Sequence, residues 1–98
     1  MELIDGQTVW ISFAVGHSTL DGRPHANVDR GVVLDAEHRL VRRDSGYVGI
    51  CHKGGVEHCH PTEAEAWAAN AEMLERYIVD VEKKAVECRR KARVEVAA

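Results

Sequence analysis

From Trp67 to Ala92 the apolar positions follow a four-three rhythm: Trp67, Ala71, Leu74, Ile78, Val81, Ala85, Cys88 and Ala92. That spacing sets all eight on one stripe of a single long helix. No Pro or Gly follows Pro61, so nothing forces a break. Thr62 offers an N-cap, and Glu65 three positions later can complete a capping box. Glu72 with Arg76, Asp80 with Lys84 and Glu87 with Lys91 are acid-first pairs four apart, worth about 0.3–0.5 kcal/mol each. Acidic residues crowd the first half and basic ones the second, which suits the macrodipole. A helix from Glu63 to about Arg93 spans roughly 46 Å, whereas a compact chain of this length is only about 35 Å across. It must overhang its domain, bend back, or be covered by a second molecule.

Upstream the period changes to two. Val9, Ile11, Phe13 and Val15 alternate with Thr8, Trp10 and Ser12, the mark of a half-buried strand. Gly16 to Asn27, with His17, Asp21-Gly22 and Pro24, carries the chemistry of a surface loop. Strands are expected over Arg30–Leu34, Arg39–Arg43 and Tyr47–His52. Gly54-Gly55 suits a tight hairpin turn, returning the chain through Val56–Cys59. The fold class expected is α+β: a four- to five-stranded antiparallel sheet in residues 1–60, then a long C-terminal helix over 62–93, within a single domain of residues 1–98.

Composition narrows the function classes. With 98 residues, folding buries roughly 65% of the chain's surface and leaves little volume for a deep substrate cavity. The net charge of −3 is too small to mark a dedicated nucleic-acid binder, and it is weak for a nucleic-acid mimic. No apolar run approaches the ~18 residues of a membrane span, and Met1 to Asp5 lacks the start of a secretory signal. Three cysteines make no disulfide framework. The expectation is a reduced, cytosolic protein with no membrane association.

Cys51-His52 and His58-Cys59-His60 combine the thiol and imidazole ligands that suit zinc. Pairing across Gly54-Gly55 would set Cys51 opposite His58, with His60 on the same face and Val48, Ile50 and Cys59 on the core side. That makes three ligands without a fourth, at a spacing that matches no standard zinc motif. A Cys–His nucleophile is equally short of an orienting third residue and an oxyanion site. The expectation is therefore no metal, no cofactor and no catalytic residue. A zinc- or cysteine-dependent site on this hairpin stands as an alternative. Lys83, Lys84, Arg89, Arg90, Lys91 and Arg93 form a basic helix end, but Glu82, Glu87 and Glu95 interleave with them and no aromatic residue follows Tyr77. Trp10 and Trp67 read as core, and Cys88 as packing.

Gly46-Tyr47-Val48-Gly49-Ile50, followed by His60-Pro61-Thr62-Glu63-Ala64-Glu65-Ala66-Trp67-Ala68-Ala69 and a long charged helix, resembles a small anti-CRISPR family of Pseudomonas phages. The resemblance covers the second half of the chain and does not include the Cys/His cluster. It implies a phage-encoded, non-enzymatic inhibitor that works in the bacterial host cytoplasm, binds a type I-F CRISPR–Cas surveillance complex through its protein with or without its guide RNA, and blocks target-DNA binding or nuclease recruitment. It transfers no contact residues. From the residues themselves, the charged helix surface at Glu72, Glu75, Arg89 and Arg90 is the candidate partner-binding site. The alternative is a small phage or prophage protein that binds nucleic acid or another phage protein.

Overall fold

The computed structural model describes residues 2–51 and 57–97. Five strands precede one helix: β1 (Thr8–Val15), β2 (His25–Asp35), β3 (Leu40–Arg43), β4 (Val48–Ile50), β5 (Glu57–His60) and α1 (Glu63–Ala97). The expected α+β architecture, an antiparallel sheet followed by a long C-terminal helix, is the one observed. His25 to Asn27, expected as loop, are instead the start of β2, because β1 and β2 form a long hairpin that pairs from Thr8↔Val32 to Val15↔His25. Only residues 16–24 are left to connect them.

The strand order is β4-β3-β2-β1-β5. This overturns the expected β4–β5 hairpin. Strand β5 pairs with β1, in the register Ile11↔Cys59 and Ser12↔His58, and β4 pairs with β3. The Gly54-Gly55 turn lies outside the described residues. Edge strands of a flat sheet in this order would be roughly 19 Å apart at about 4.8 Å per strand. Yet Cys51, just past β4, meets Cys59 of β5 with 2.8 Å between their sulfurs. Arg43 of β3 likewise reaches across to pair with Glu57 of β5. The sheet is therefore strongly curled, and its two edges approach over the concave face.

Alternation places the core inside that curl. Val9, Ile11, Val33, Val41 and Cys51 are buried there, with Leu3 closing one end and Ala36 and Cys59 packed against them. Gly31 sits where a Cβ would come within 2.8 Å of Val41 Cγ1, so the tight side of the curl needs a residue without a side chain. Leu34, next to the inward Val33, points outside by alternation, and a register shift between Val33 and Asp35 marks a bulge at this point of β2. Val48 and Ile50, expected in the core, are exposed on the outer face, at 47% and 53%. Cys51 is the residue that enters the interior.

Helix α1 lies on the opposite face of β1. The sequence pattern marks that face as solvated, but Ser12 and Ala14 are 2% and 5% exposed. The helix start forms as expected, with the Glu65 N–H donating to Thr62 Oγ1 at 3.2 Å. Its buried stripe, however, is turned by one residue from the one expected. Ala66 and Asn70 are buried, and Ala69, Met73 and Leu74 are half-buried. Trp67, Ile78 and Val81, expected against the sheet, are 45%, 53% and 48% exposed. Small residues decide this. Ser12, Ala14 and Gly16 offer a shallow strip along β1, and Ala66 and Ala69 let the helix backbone approach it. Asn70 Nδ2 donates to the Asn27 carbonyl at 2.9 Å, which satisfies the polar group that the closer approach buries. At Gly16 an added Cβ would lie 2.2 Å from the Tyr77 ring.

Tyr77 is the last residue of α1 in contact with the sheet strip. Beyond it the helix runs on for roughly 30 Å at about 1.5 Å per residue, and residues 78–94 are exposed except for the half-buried Ala85 and Glu87. The molecule measures 64 × 26 × 23 Å, with a radius of gyration of 18.4 Å against about 13 Å for a compact chain of this length. Of the three expected ion pairs, Glu87–Lys91 forms at 3.0 Å, while Lys84 turns forward to Glu87 at 3.2 Å rather than back to Asp80.

This geometry sets two stability outcomes. Truncation after Glu82 should leave the thermal midpoint within about 2 °C of the full chain, because the described side chains it removes, residues 83–94, are exposed apart from the half-buried Ala85 and Glu87. Gly16→Ala should cost about 1–3 kcal/mol by overpacking, and Tyr77→Ala in the same chain should recover part of that loss. Urea unfolding of the two single variants and the double variant measures both. A truncation that unfolds the domain would show that the distal helix is part of the fold.

Candidate functional site

Strand β5 carries both candidate chemistries, and its two faces separate them. Successive side chains of a strand point to opposite sides. Glu57 and Cys59 face the interior of the curl, while His58 and His60 face the helix side, opposite Ser12 and Trp10. The set Cys51, His58 and His60, expected to share one face, is therefore split across the sheet: the thiol lies inside and the two imidazoles outside. Cys51 instead meets Cys59.

On the helix side, Ser12 Oγ is 2.8 Å from His60 Nε2 and also donates to the His58 carbonyl at 3.4 Å. With the hydroxyl proton used there, the neutral His60 tautomer with hydrogen on Nε2 completes the pair. Partial burial holds the His60 pKa below its ordinary 6.5, and the neighbouring His58 adds to this while Glu65 opposes it. A histidine kept neutral next to a buried serine is a structural hydrogen bond between β5 and β1.

Inside the curl, the Cys51 thiol is pulled down to about 6, first by the hydrogen bond from Cys59 and then by the Arg39 guanidinium, against the opposing effect of burial. The Cys59 thiol is pushed up by the same hydrogen bond and by burial. Further along this face, Arg43 pairs with Glu57, lies 4.0 Å from Asp29, and stacks 5.6 Å above the Tyr47 ring. This cluster ties β3 to β5 and β2 where apolar residues give out. Past that cluster, an open groove of about 480 Å³ is lined by residues that include Phe13, Val15, His17, Leu20 and His25. His25 pairs with Asp21 at 2.9 Å at its rim.

The expected partner-binding residues Glu72, Glu75, Arg89 and Arg90 are all exposed on α1. Glu72 and Glu75 belong to the part of the helix that rests on the sheet, and Arg89 and Arg90 to the part that projects. Sequence reasoning missed the thiol pair because it took Cys51 and Cys59 for opposite faces of one hairpin. The signal available was the alternation of β1, which offers Ile11 as an interior partner for Cys59 as readily as β4 does. Asp35, Glu37 and His38 also cluster on an exposed turn, where His38 Nδ1 and Asp35 Oδ2 pair at 2.7 Å.

Two outcomes follow. Elemental analysis should find no stoichiometric zinc, and a chelator should leave the thermal midpoint unchanged; one zinc per chain would restore the metal reading. For pH, the folded His60 pKa lies below its unfolded value, so the unfolded chain binds more protons in the interval between them. The associated stability is present above pH 6.5 and is lost as pH falls through the folded pKa. His60→Gln should flatten the loss of stability between pH 7 and pH 5 seen in urea titrations. The lowered pKa values of Asp21 and Asp35, held down by hydrogen bonds from Arg23 and His25 and from His38, act below that window, whereas the Cys51 thiol, pulled down to about 6, titrates within it, so the comparison is made in a Cys51→Ser background.

Neither family models, nor curated proteins, nor solved structures match this chain.

Proposed function

We propose that this protein is a non-enzymatic binding protein that docks its projecting helix on a macromolecular partner, and that the partner is a type I CRISPR–Cas surveillance complex. The observation that carries the docking reading is the geometry of α1: it is held on the sheet as far as Tyr77 and then extends into solvent, giving the molecule a 64 Å long axis. A helix that served only to cover the sheet would end where the sheet ends. The choice of partner rests on the resemblance of Gly46–Ile50 and His60–Ala69 to the anti-CRISPR family. Among the described residues, no helix is long and apolar enough to cross a membrane, so the overhang has no such use.

The projecting half alone is too small for a stable interface. One side of a cylinder about 10–12 Å wide and roughly 30 Å long offers about 500 Å², whereas a specific complex buries about 800 Å² per partner. The contact must therefore continue toward the domain, onto the part of α1 that carries Glu72 and Glu75. Binding then spans an acidic stretch and a basic one, and charge at such a rim orients the partner while a few central residues hold most of the energy. The inhibitor would act by occupying the surface that target DNA or the nuclease needs.

Co-purification with a reconstituted type I-F complex, followed by target-DNA binding at two salt concentrations, tests this. Glu72→Lys with Glu75→Lys, or Arg89→Glu with Arg90→Glu, should weaken binding about tenfold or more without changing the thermal midpoint. Sensitivity of the acidic pair points to a basic DNA-binding groove on the complex. Sensitivity of the basic pair points to an acidic protein surface or the guide RNA. Absence of co-purification together with absence of protection of an infecting phage removes this partner.

A further inference from the structure

We propose that Cys51 and Cys59 form a two-electron redox site that closes to an intramolecular disulfide when the protein meets hydrogen peroxide. Their sulfurs are 2.8 Å apart, within about 0.8 Å of a disulfide bond length of roughly 2.05 Å. Closing the bond therefore needs no rearrangement of the sheet. Cys51 is 4% exposed and Cys59 half-buried, so a small oxidant reaches the pair more readily than a bulky disulfide does.

The position of Cys51 is fixed by its backbone. The Cys51 N–H donates to the Arg39 carbonyl at 3.0 Å, and Arg39 Nε donates to the Cys51 carbonyl at 2.6 Å. Arg39 has φ 55°, a left-handed conformation that non-glycine residues adopt only when their surroundings hold them there. This doubly bonded turn keeps the guanidinium beside the thiol of Cys51, whose pKa of about 6 makes it the thiolate of the pair at neutral pH.

The chemistry balances on these two residues and peroxide. The Cys51 thiolate attacks one peroxide oxygen, the O–O bond breaks, and hydroxide leaves, giving a sulfenic acid on Cys51. The Cys59 sulfur then attacks the Cys51 sulfur, the S–O bond breaks, and the hydroxyl group leaves as water with the proton from Cys59. Two thiols are oxidised and one peroxide is reduced to two waters. The resulting bond joins the two edges of the curled sheet, where the described residues show no backbone pairing between β4 and β5.

Treatment of the full-length Cys88→Ser variant with hydrogen peroxide is the test. Mass spectrometry should show loss of two hydrogens, and a non-reducing digest should give a Cys51–Cys59 crosslinked peptide that dithiothreitol reverses. The thermal midpoint should rise by about 10 °C, since even a short closed loop restricts the unfolded chain. The oxidation rate should level off above about pH 7, and Arg39→Gln should move that plateau to higher pH. Cys59→Ser should stop at a trappable sulfenic acid on Cys51. Recovery of two free thiols after peroxide, oxidation of Cys51 to sulfinic acid with Cys59 still free, or a soft metal ion held between the two sulfurs in the purified protein would each overturn the proposal.

Discussion

Among the described residues no second layer lies over the concave face of the sheet, and the rest of the fold is arranged around that fact. All five strands belong to one sheet, so the apolar side chains of β1, β2 and β3 are hidden by curling the sheet until its own edges approach. Val9, Ile11, Val33 and Val41 fill the narrow part, and Leu3 closes one end. Where the apolar residues run out, Arg43 spans the gap to Glu57 and Asp29. These side chains are 22%, 36% and 25% exposed, so the cluster keeps some water and avoids the full cost of a buried ion pair. The Cys51–Cys59 contact belongs to the same closure: it exists because the sheet bends far enough to bring the end of β4 to β5.

Curling inward leaves the outer face of β1 needing cover, and α1 supplies it with little apolar surface. Its fully buried part consists of Ala66 and one asparagine whose amide bonds a strand carbonyl, set against Ser12 and Ala14, with Met73 and Leu74 half-buried and Tyr77 over Gly16. Close backbone approach replaces large side chains here, and dispersion between many near atoms takes the place of a few bulky anchors. Such a contact is short along the helix axis. It ends once Tyr77 has crossed Gly16, and the sheet is not wide enough to hold a helix of this length. The exposed Ile78, Val79, Val81 and Val86 lie beyond that point, on turns kept helical by their own propensity and by ion pairs such as Glu87 with Lys91. The projecting turns are the surface through which we propose that the protein meets its partner.

Much of this was legible in the residues themselves. The Thr62 cap, the absence of Pro and Gly afterwards and the charge gradient determine a single long helix, because those effects act between residues a turn apart. Alternation in β1 determines a strand with Val9, Ile11, Phe13 and Val15 on one side, and length alone implies that the helix outruns a compact body. What local pattern could not decide is which segments meet. Residues 51–60 contain turn chemistry suited to a hairpin, yet β5 gains more by pairing with β1, which gives it a central neighbour and puts Cys59 beside Ile11. The helix register was also beyond the sequence: a count of apolar positions favours the Trp67 stripe, but the stripe that packs is the one with the smallest side chains, matched to the small side chains of β1. Pairing partners, the face of a helix that docks and the meeting of two sulfurs eight residues apart all depend on how surfaces fit in three dimensions, and only the tertiary structure carries that information.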